Sequence, residues 1–263
     1  MAFFLCLFIF FLASSAYACD RCVHQSKVAY FSKESSLASG ACGYDTLALN
    51  ITNGQIAGAV SSLFKNGAGC GACYQIRCNN TSLCSQKGAR VVVTDLIYNN
   101  QTDFVLSSQA FKALAKEGLD KDIFKLGIVD IEYKRIPCDY KNNNLSVRVE
   151  ESSKKPRYLG LTFLYQGGQT EIVSVDIAKV GSSTWRSMSR DHGAVWGSTN
   201  RVPEGPLLLR IEVTSGFRGK QILAQKEVLP ADWKIGVVYD TGIQINDIAQ
   251  ERCSSCDEGT WPL

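Results

Sequence analysis

Eleven cysteines against two histidines set the reactive inventory of this 263-residue chain. Three Cys-x-x-Cys pairs stand out: Cys19/Cys22, Cys70/Cys73 and Cys253/Cys256. Thiolates at that spacing hold zinc in a reducing compartment and pair as disulfides in an oxidising one. The compartment therefore decides the chemistry, and two histidines are too few for a His-rich metal enzyme.

The leading segment points to an oxidising compartment. Residues Met1 to Ala18 read MAFFLCLFIFFLASSAYA. Ala2 to Ala13 is an unbroken apolar run, shorter than the ~20 residues that span a bilayer. Ala16-Tyr17-Ala18 is a small-x-small cleavage site, although no Lys or Arg precedes the apolar run. Residues 1–18 are thus expected to be a signal peptide, with Cys19 as the mature N-terminus. Cleavage removes Cys6 and leaves an even number of cysteines. Disulfides are expected rather than zinc, with no other metal and no cofactor. N-x-S/T sequons at Asn50, Asn80, Asn100 and Asn144 mark candidate glycosylation sites; the one at Asn79 overlaps that at Asn80.

Apolar residues make up 45% and charged residues 20%, which excludes a disordered chain. The net charge of +3 is too small to make nucleic acid the expected partner. At roughly 150 residues per domain the length fits one large or two small domains. The cysteines favour two. Six lie between Cys42 and Cys138, and none lies between Cys138 and Cys253. The polar run Pro137 to Asn144 reads as a junction. The expected division is a first domain over 19–138, a linker over 139–144, a second domain over 145–243 and an acidic tail over 244–263.

The elements that would carry the first domain are short strands, with Ala89–Thr94 and Leu126–Tyr133 as β-branched runs. Helices are expected over Ser107–Glu117, closed by Gly118, and over Gln55–Lys65. The second domain reads as strands throughout. Tyr158–Tyr165 alternates, with Leu159, Leu161 and Phe163 facing a core and Tyr158 on the opposite face. Glu171–Ile177, Leu207–Val213 and Ile222–Val228 continue the pattern, as in a β-sandwich held by its own core. Its aromatic residues include Tyr158, Trp185, Trp196 and Trp233. Exposed aromatic rings stack on the apolar C–H faces of sugars, whereas buried ones only pack.

The run Gly40-Ala41-Cys42-Gly43-Tyr44, then Cys70-Gly71-Ala72-Cys73-Tyr74-Gln75-Ile76-Arg77-Cys78, then Val93-Thr94-Asp95 and Asp103-Phe104-Val105 resembles the expansins. Within them it is most similar to the expansin-like A subgroup of plants. The resemblance covers nearly the whole mature chain. It implies an all-β-dominated fold: a double-psi β-barrel related to family 45 endoglucanases, followed by an immunoglobulin-like β-sandwich that binds polysaccharide. It also implies the disulfides Cys42–Cys70, Cys73–Cys138 and Cys78–Cys84, where spacing alone leaves many pairings open. Cys19, Cys22, Cys253 and Cys256 lie outside that pattern. They are expected to clamp the two chain ends to each other or to the barrel.

Hydrolysis of a glycosidic bond requires two carboxyl groups flanking it. Asp95 matches the family's groove aspartate, or else caps a turn at a strand end. The acid of the related endoglucanases falls on Val105, which has no proton to donate, and Asp103 is displaced from it by two residues. Two further groove positions, Ala29 and Phe31, lose the hydroxyls of the family's Thr and Tyr. Tyr158 matches a family stacking residue, and a second stacking Trp of the family is replaced by His192. The expected binding residues are therefore Tyr158, Trp185, His192, Trp233 and Asp95, with no catalytic residue. The implied partner is a wall polysaccharide such as cellulose, xyloglucan or xylan. The implied protein is a secreted, extracellular, cell-wall monomer that leaves the membrane on cleavage and is not an enzyme. Adhesion without wall loosening, and residual endoglucanase or transglycosylase activity, are the alternatives.

Overall fold

Ala89 to Leu96 alternates buried and partly exposed side chains along a β-branched run, as a barrel strand with one face inward must. The computed structural model describes residues 18–19, 22–31, 40–98 and 100–253. Residues 1–17, with nearly all of the expected signal peptide, lie outside them. After β1 (Ala18–Cys19), six strands make the first domain: β2 (Val23–Phe31), β3 (Ile56–Ala59), β4 (Cys73–Cys78), β5 (Ala89–Leu96), β6 (Phe104–Ser107) and β7 (Val129–Ile136). They close into a barrel in the order β2-β6-β3-β5-β4-β7. The pairs β2–β6 and β3–β5 are parallel and the other four antiparallel. Tyr74, Phe104 and Tyr133 meet edge to face inside it.

Both expected helices are corrected. Within Gln55–Lys65, Ile56–Ala59 is strand β3, and only Ser61–Phe64 is α-helical, as α2, running into a 3-10 turn that begins at Lys65; α1 (Leu47–Thr52) precedes it. The small residues Ala57, Gly58 and Ala59 let β3 hydrogen-bond to β5 on one side and β6 on the other, and that pairing overrides local propensity. Helix α3 runs only over Ser108–Lys112, capped by the Ser107 hydroxyl, which accepts from the Ala110 N–H. Its expected continuation is drawn off to the loop stapled by Cys78–Cys84, where Ser85 N–H donates to Leu114 O and Lys116 N–H to Leu83 O. Leu126 ends a further helix, α4 (Asp120–Leu126), instead of opening a strand.

The second domain contains β8 (Ser146–Val149), β9 (Gly160–Leu164), β10 (Ile172–Lys179), β11 (Arg186–His192), β12 (Val195–Ser198), β13 (Leu207–Val213), β14 (Lys220–Leu223) and β15 (Val238–Asp240). They form one sheet in the order β14-β13-β10-β11-β12-β9-β8-β15. Val147, Leu161 and Phe163 from one half share a core with Val175, Ile177, Leu209 and Ile211 from the other, so the sheet curls on itself like a sandwich. Strand β11 makes the corner: Arg186–Met188 pair with β10, and Met188–His192 pair with β12.

The alternation in β9 places Leu161 and Phe163 inward as expected, yet Gly160, Thr162 and Leu164 are buried as well. Leu164 packs with Ala194 against Cys42, Tyr44, Ala48, Ile56, Phe64 and Cys70 of the barrel. The opposite face of β9 is therefore roofed by the first domain. Gly193 makes the close approach possible: with φ +49°, a Cβ there would lie 2.4 Å from Ala41 O and Cys42 Cα. Ala194 N–H then donates to Cys42 O across the seam, 3.0 Å.

The three barrel disulfides pair as the resemblance implies. Cys22–Cys253 joins the two ends of the chain, and Cys256 lies outside the described residues. Residues 245–253 stay on the body. Ile245 is fully buried in the sandwich core, and β16 (Glu251–Arg252) pairs with β1. Nor is the 139–144 segment detached, since Tyr140 meets Tyr165 edge to face at 5.5 Å.

Candidate functional site

Strand pairing brings four groove positions into one row. Ala29 on β2 faces Val105 on β6, Val105 faces Gly58 on β3, and Gly58 faces Asp95 on β5. Residues paired in one row project to the same side of a sheet. Val105 and Asp95 thus flank the side-chain-free Gly58, two strand spacings or about 10 Å apart. A carboxyl at 105 would look across that gap at Asp95. The residue present is a buried valine, which can neither donate nor accept a proton.

Asp95 Oδ1 accepts from Ala41 N–H at 2.7 Å and from Leu96 N–H at 2.8 Å. The carboxylate therefore caps the turn that leads into Cys42. A carboxylate offers about four acceptor positions, so two donors leave capacity for further hydroxyls. Asp103 accepts from the Tyr133 hydroxyl at 3.2 Å. Burial foremost, and then the Asp103 charge, push the Tyr133 phenol well above its ordinary range.

The turn held by Asp95 leads directly to the second domain. Gly43, just beyond it, lies against His192 and Val195: a Cβ there would sit 3.2 Å from the His192 Nε2. His192 is 59% exposed, with Nδ1 3.3 Å from Asp191. The Tyr158 ring lies over Gly160 of β9 and Gly197 of β12. A Cβ at 160 would meet its edge at 3.3 Å, and one at 197 would meet its hydroxyl at 2.6 Å. Two glycines on neighbouring strands therefore make a seat on which a flat ring can lie. Burial first, then the Asp191 charge, raise the Tyr158 phenol. Asp95, Gly43, His192 and Tyr158 thus follow one another along the barrel-side face.

The other two expected binding residues are not part of that face. Trp233 is only 6% exposed and packs in the sandwich core, with Lys155 Nζ 4.3 Å from its ring centre. It has no ring face to offer a sugar, which corrects the expectation. Trp185 is half-buried and lies toward β10 and β13, under the Arg210 guanidinium at 4.4 Å. Arg210 is fixed in turn by two hydrogen bonds to Asp176 Oδ2, 3.0 and 2.9 Å. The inward residues of both halves of the sheet share one core, so their outer faces look away from each other. Trp185 and Tyr158 stand on different faces. Trp196 is core, with Arg190 over its ring at 4.5 Å.

Of the sequon residues, Asn50, Asn80 and Asn100 are exposed, whereas Asn144 is half-buried and donates its amide N–H to Asp240 at 3.1 Å. Sequence reading missed Gly58, Gly197, Arg210 and Asp176, because a seat or a prop is defined by its neighbours in space. It also passed over Phe217, 79% exposed, although an aromatic between turn glycines (Gly216-Phe217-Arg218-Gly219) is a legible signal. Cys22, His24 and Glu251 converge closely enough to suggest a metal site. The Cys22 sulfur is bonded to Cys253, so no thiolate is present to bind one.

Family models match both domains: "Lytic transglycolase" over residues 56–133 and "Expansin C-terminal domain" over residues 145–230. The chain is 58% identical to Expansin-like A1 of Arabidopsis thaliana, covering 98% of each chain. It is 48% identical to Expansin-like A3 of Oryza sativa subsp. japonica, covering 94% of this chain and 91% of that one. Among solved structures it shares its fold with the apo Clavibacter michiganensis expansin, at TM-score 0.63 and 22% identity, covering 84% of this chain and 97% of that one. A mutant of that expansin, solved in complex with cellohexaose, matches equally well. Both domains and nearly the full length agree: the chain belongs to the expansin family, in its expansin-like A group.

Proposed function

We propose that this is a secreted cell-wall protein that binds cellulose or matrix glucans along the face from Asp95 to Tyr158 and loosens their packing without cleaving them. The observation that carries the reading is the row Ala29–Val105–Gly58–Asp95, a groove with one carboxylate where hydrolysis needs two. Sugar hydroxyls can still bond to Asp95, and a pyranose can stack on the Tyr158 ring. The cellohexaose bound by a mutant of the bacterial expansin is a ligand of this chemical kind. Binding energy spread along a groove competes with contacts between glucan chains and calls for no cofactor. Purified protein is expected to be retained on insoluble cellulose or xylan and to release no reducing ends. Reducing ends that rise with time, and vanish in Asp95→Asn, would establish an enzyme instead.

A second reading, adhesion without loosening, is favoured by the engagement of Asp95 Oδ1 by two backbone N–H groups and by His192 at a stacking position. Extension of isolated walls under constant load separates the two. Creep supports loosening, and intact binding without creep supports adhesion.

A further inference from the structure

On the far side of the sandwich, the outer face of β10 and β13 has the furnishings of a binding strip. Its outward positions are Asp176 and Ser174 on β10, paired with Arg210 and Glu212 on β13, and Thr214 just past the end of β13. Arg210 to Thr214 spans about 13 Å of strand. At one end the Arg210 guanidinium lies over one side of the Trp185 ring; Arg210 is itself neutralised by Asp176, whose other oxygen accepts from the Ser187 hydroxyl at 2.7 Å. At the other end, where the sandwich abuts the barrel, is a cleft of about 450 Å³, lined by Glu212, Val173 and Phe217 of the sandwich and by Lys65 and Arg135 of the barrel. Phe217 and Val173 are large apolar side chains left exposed at its rim. Aromatics at both ends of a polar strip, with Arg210 neutralised by Asp176 and Glu212 adding a negative rather than a positive charge, suit an extended polyhydroxyl chain. A nucleic acid would ask for unpaired cations instead.

We propose that this strip, from Trp185 to Phe217, is a second glycan-binding site, so that one molecule holds two β-linked glucan chains on opposite faces. The inference rests on the barrel-side face being a glucan site, as proposed above. A monomer with two such faces joins chains, and each face raises the effective concentration of its ligand for the other.

The test uses the intact protein with microcrystalline cellulose, reading retention by pull-down and bridging by flocculation of the particles. Wild type is expected to be retained and to flocculate. Trp185→Ala and Phe217→Ala are each expected to remain bound through the barrel-side face and to flocculate about tenfold less. Tyr158→Ala is expected to behave likewise from the other side. Phe217 is exposed, so its variant tests the strip even where Trp185→Ala fails to fold. Retention without flocculation in wild type, or wild-type flocculation by Phe217→Ala, would overturn the second site alone. No retention of wild type on cellulose or insoluble xylan would overturn the barrel-side reading, and this one with it.

Discussion

The two domains are held together in different ways and furnished in different ways. The barrel carries three disulfides within about 100 residues and packs four of their six cysteines, Cys42, Cys70, Cys78 and Cys84, into its core clusters. The sandwich core contains no cysteine and relies on Phe163, Trp196, Trp233 and a set of branched aliphatics. At the surface, the barrel row presents one carboxylate, Asp95, across Gly58 from a valine, whereas the sandwich offers an aromatic ring seated on glycines and another beneath an Arg–Asp pair. Binding needs only complementary surface, while hydrolysis needs two carboxyls at one bond. A fold can therefore lose the second and keep the first with a change at one position such as Val105.

The sharpest way to break the comparison is to remove core from the sandwich. Phe163→Ala is expected to cost about 4 kcal/mol and to lower the sandwich transition. Denaturant unfolding followed by separate probes in each domain would show it. Removing a barrel staple as Cys73→Ser with Cys138→Ser is expected to cost about 3 kcal/mol and to act on the barrel instead. If both changes moved both domains equally, the two would be one cooperative unit.

The seam between the domains gives the next effect. Glu171 accepts from Lys65 Nζ at 2.6 Å and from the buried Arg135 Nη1 at 3.0 Å. Glu171→Gln leaves Arg135 with the Thr170 carbonyl and, as its carboxylate, Glu251 at 3.7 Å, and is expected to cost about 2 kcal/mol by thermal melting. Burial alone would raise the Glu171 carboxyl, but Arg135 and Lys65 outweigh it and hold it below its ordinary 4.5. Its stabilising share is present above about pH 4.5 and is lost as pH falls through the lower folded value. Acid unfolding that is unchanged in Glu171→Gln would show that the seam does not depend on this group.

The smallest effect concerns the glycine seat. Tyr158→Ala is expected to weaken glucan binding at the barrel-side face about tenfold, near 1.4 kcal/mol. Gly197→Ala, which displaces the ring without removing it, should reproduce most of that loss. Affinity for a short soluble cello-oligosaccharide, which engages one face at a time, measures it. A Gly197→Ala variant that binds like wild type would show that the ring's flat placement is unimportant.

Much of this molecule is legible in the chain itself. The cysteine-rich and cysteine-free stretches mark the two domains, and Leu207–Val213 is a strand at the bounds its pattern sets. Val105 is legible in the chain as a residue with no proton to donate. The helices over Gln55–Lys65 and Ser107–Glu117 failed for a shared reason. Partners distant in sequence, β5 and β6 in one case and the Leu83–Ser85 loop in the other, took the backbone hydrogen bonds that a helix would have used.

What the sequence alone determined is therefore local: residue chemistry, the alternation that sorts side chains to one face or the other, and the number of thiols to be paired. What only the tertiary structure decided is what covers each face. Parity puts Leu164 opposite Phe163, but the docked barrel turns that face into a second interior. Three tryptophans of one domain look alike in sequence. One is core beneath a lysine, one is core beneath an arginine, and one is half-open on a face turned away from Tyr158. Burial depends on the sum of all neighbours in space, and strand pairing brought those neighbours together from segments far apart in the chain.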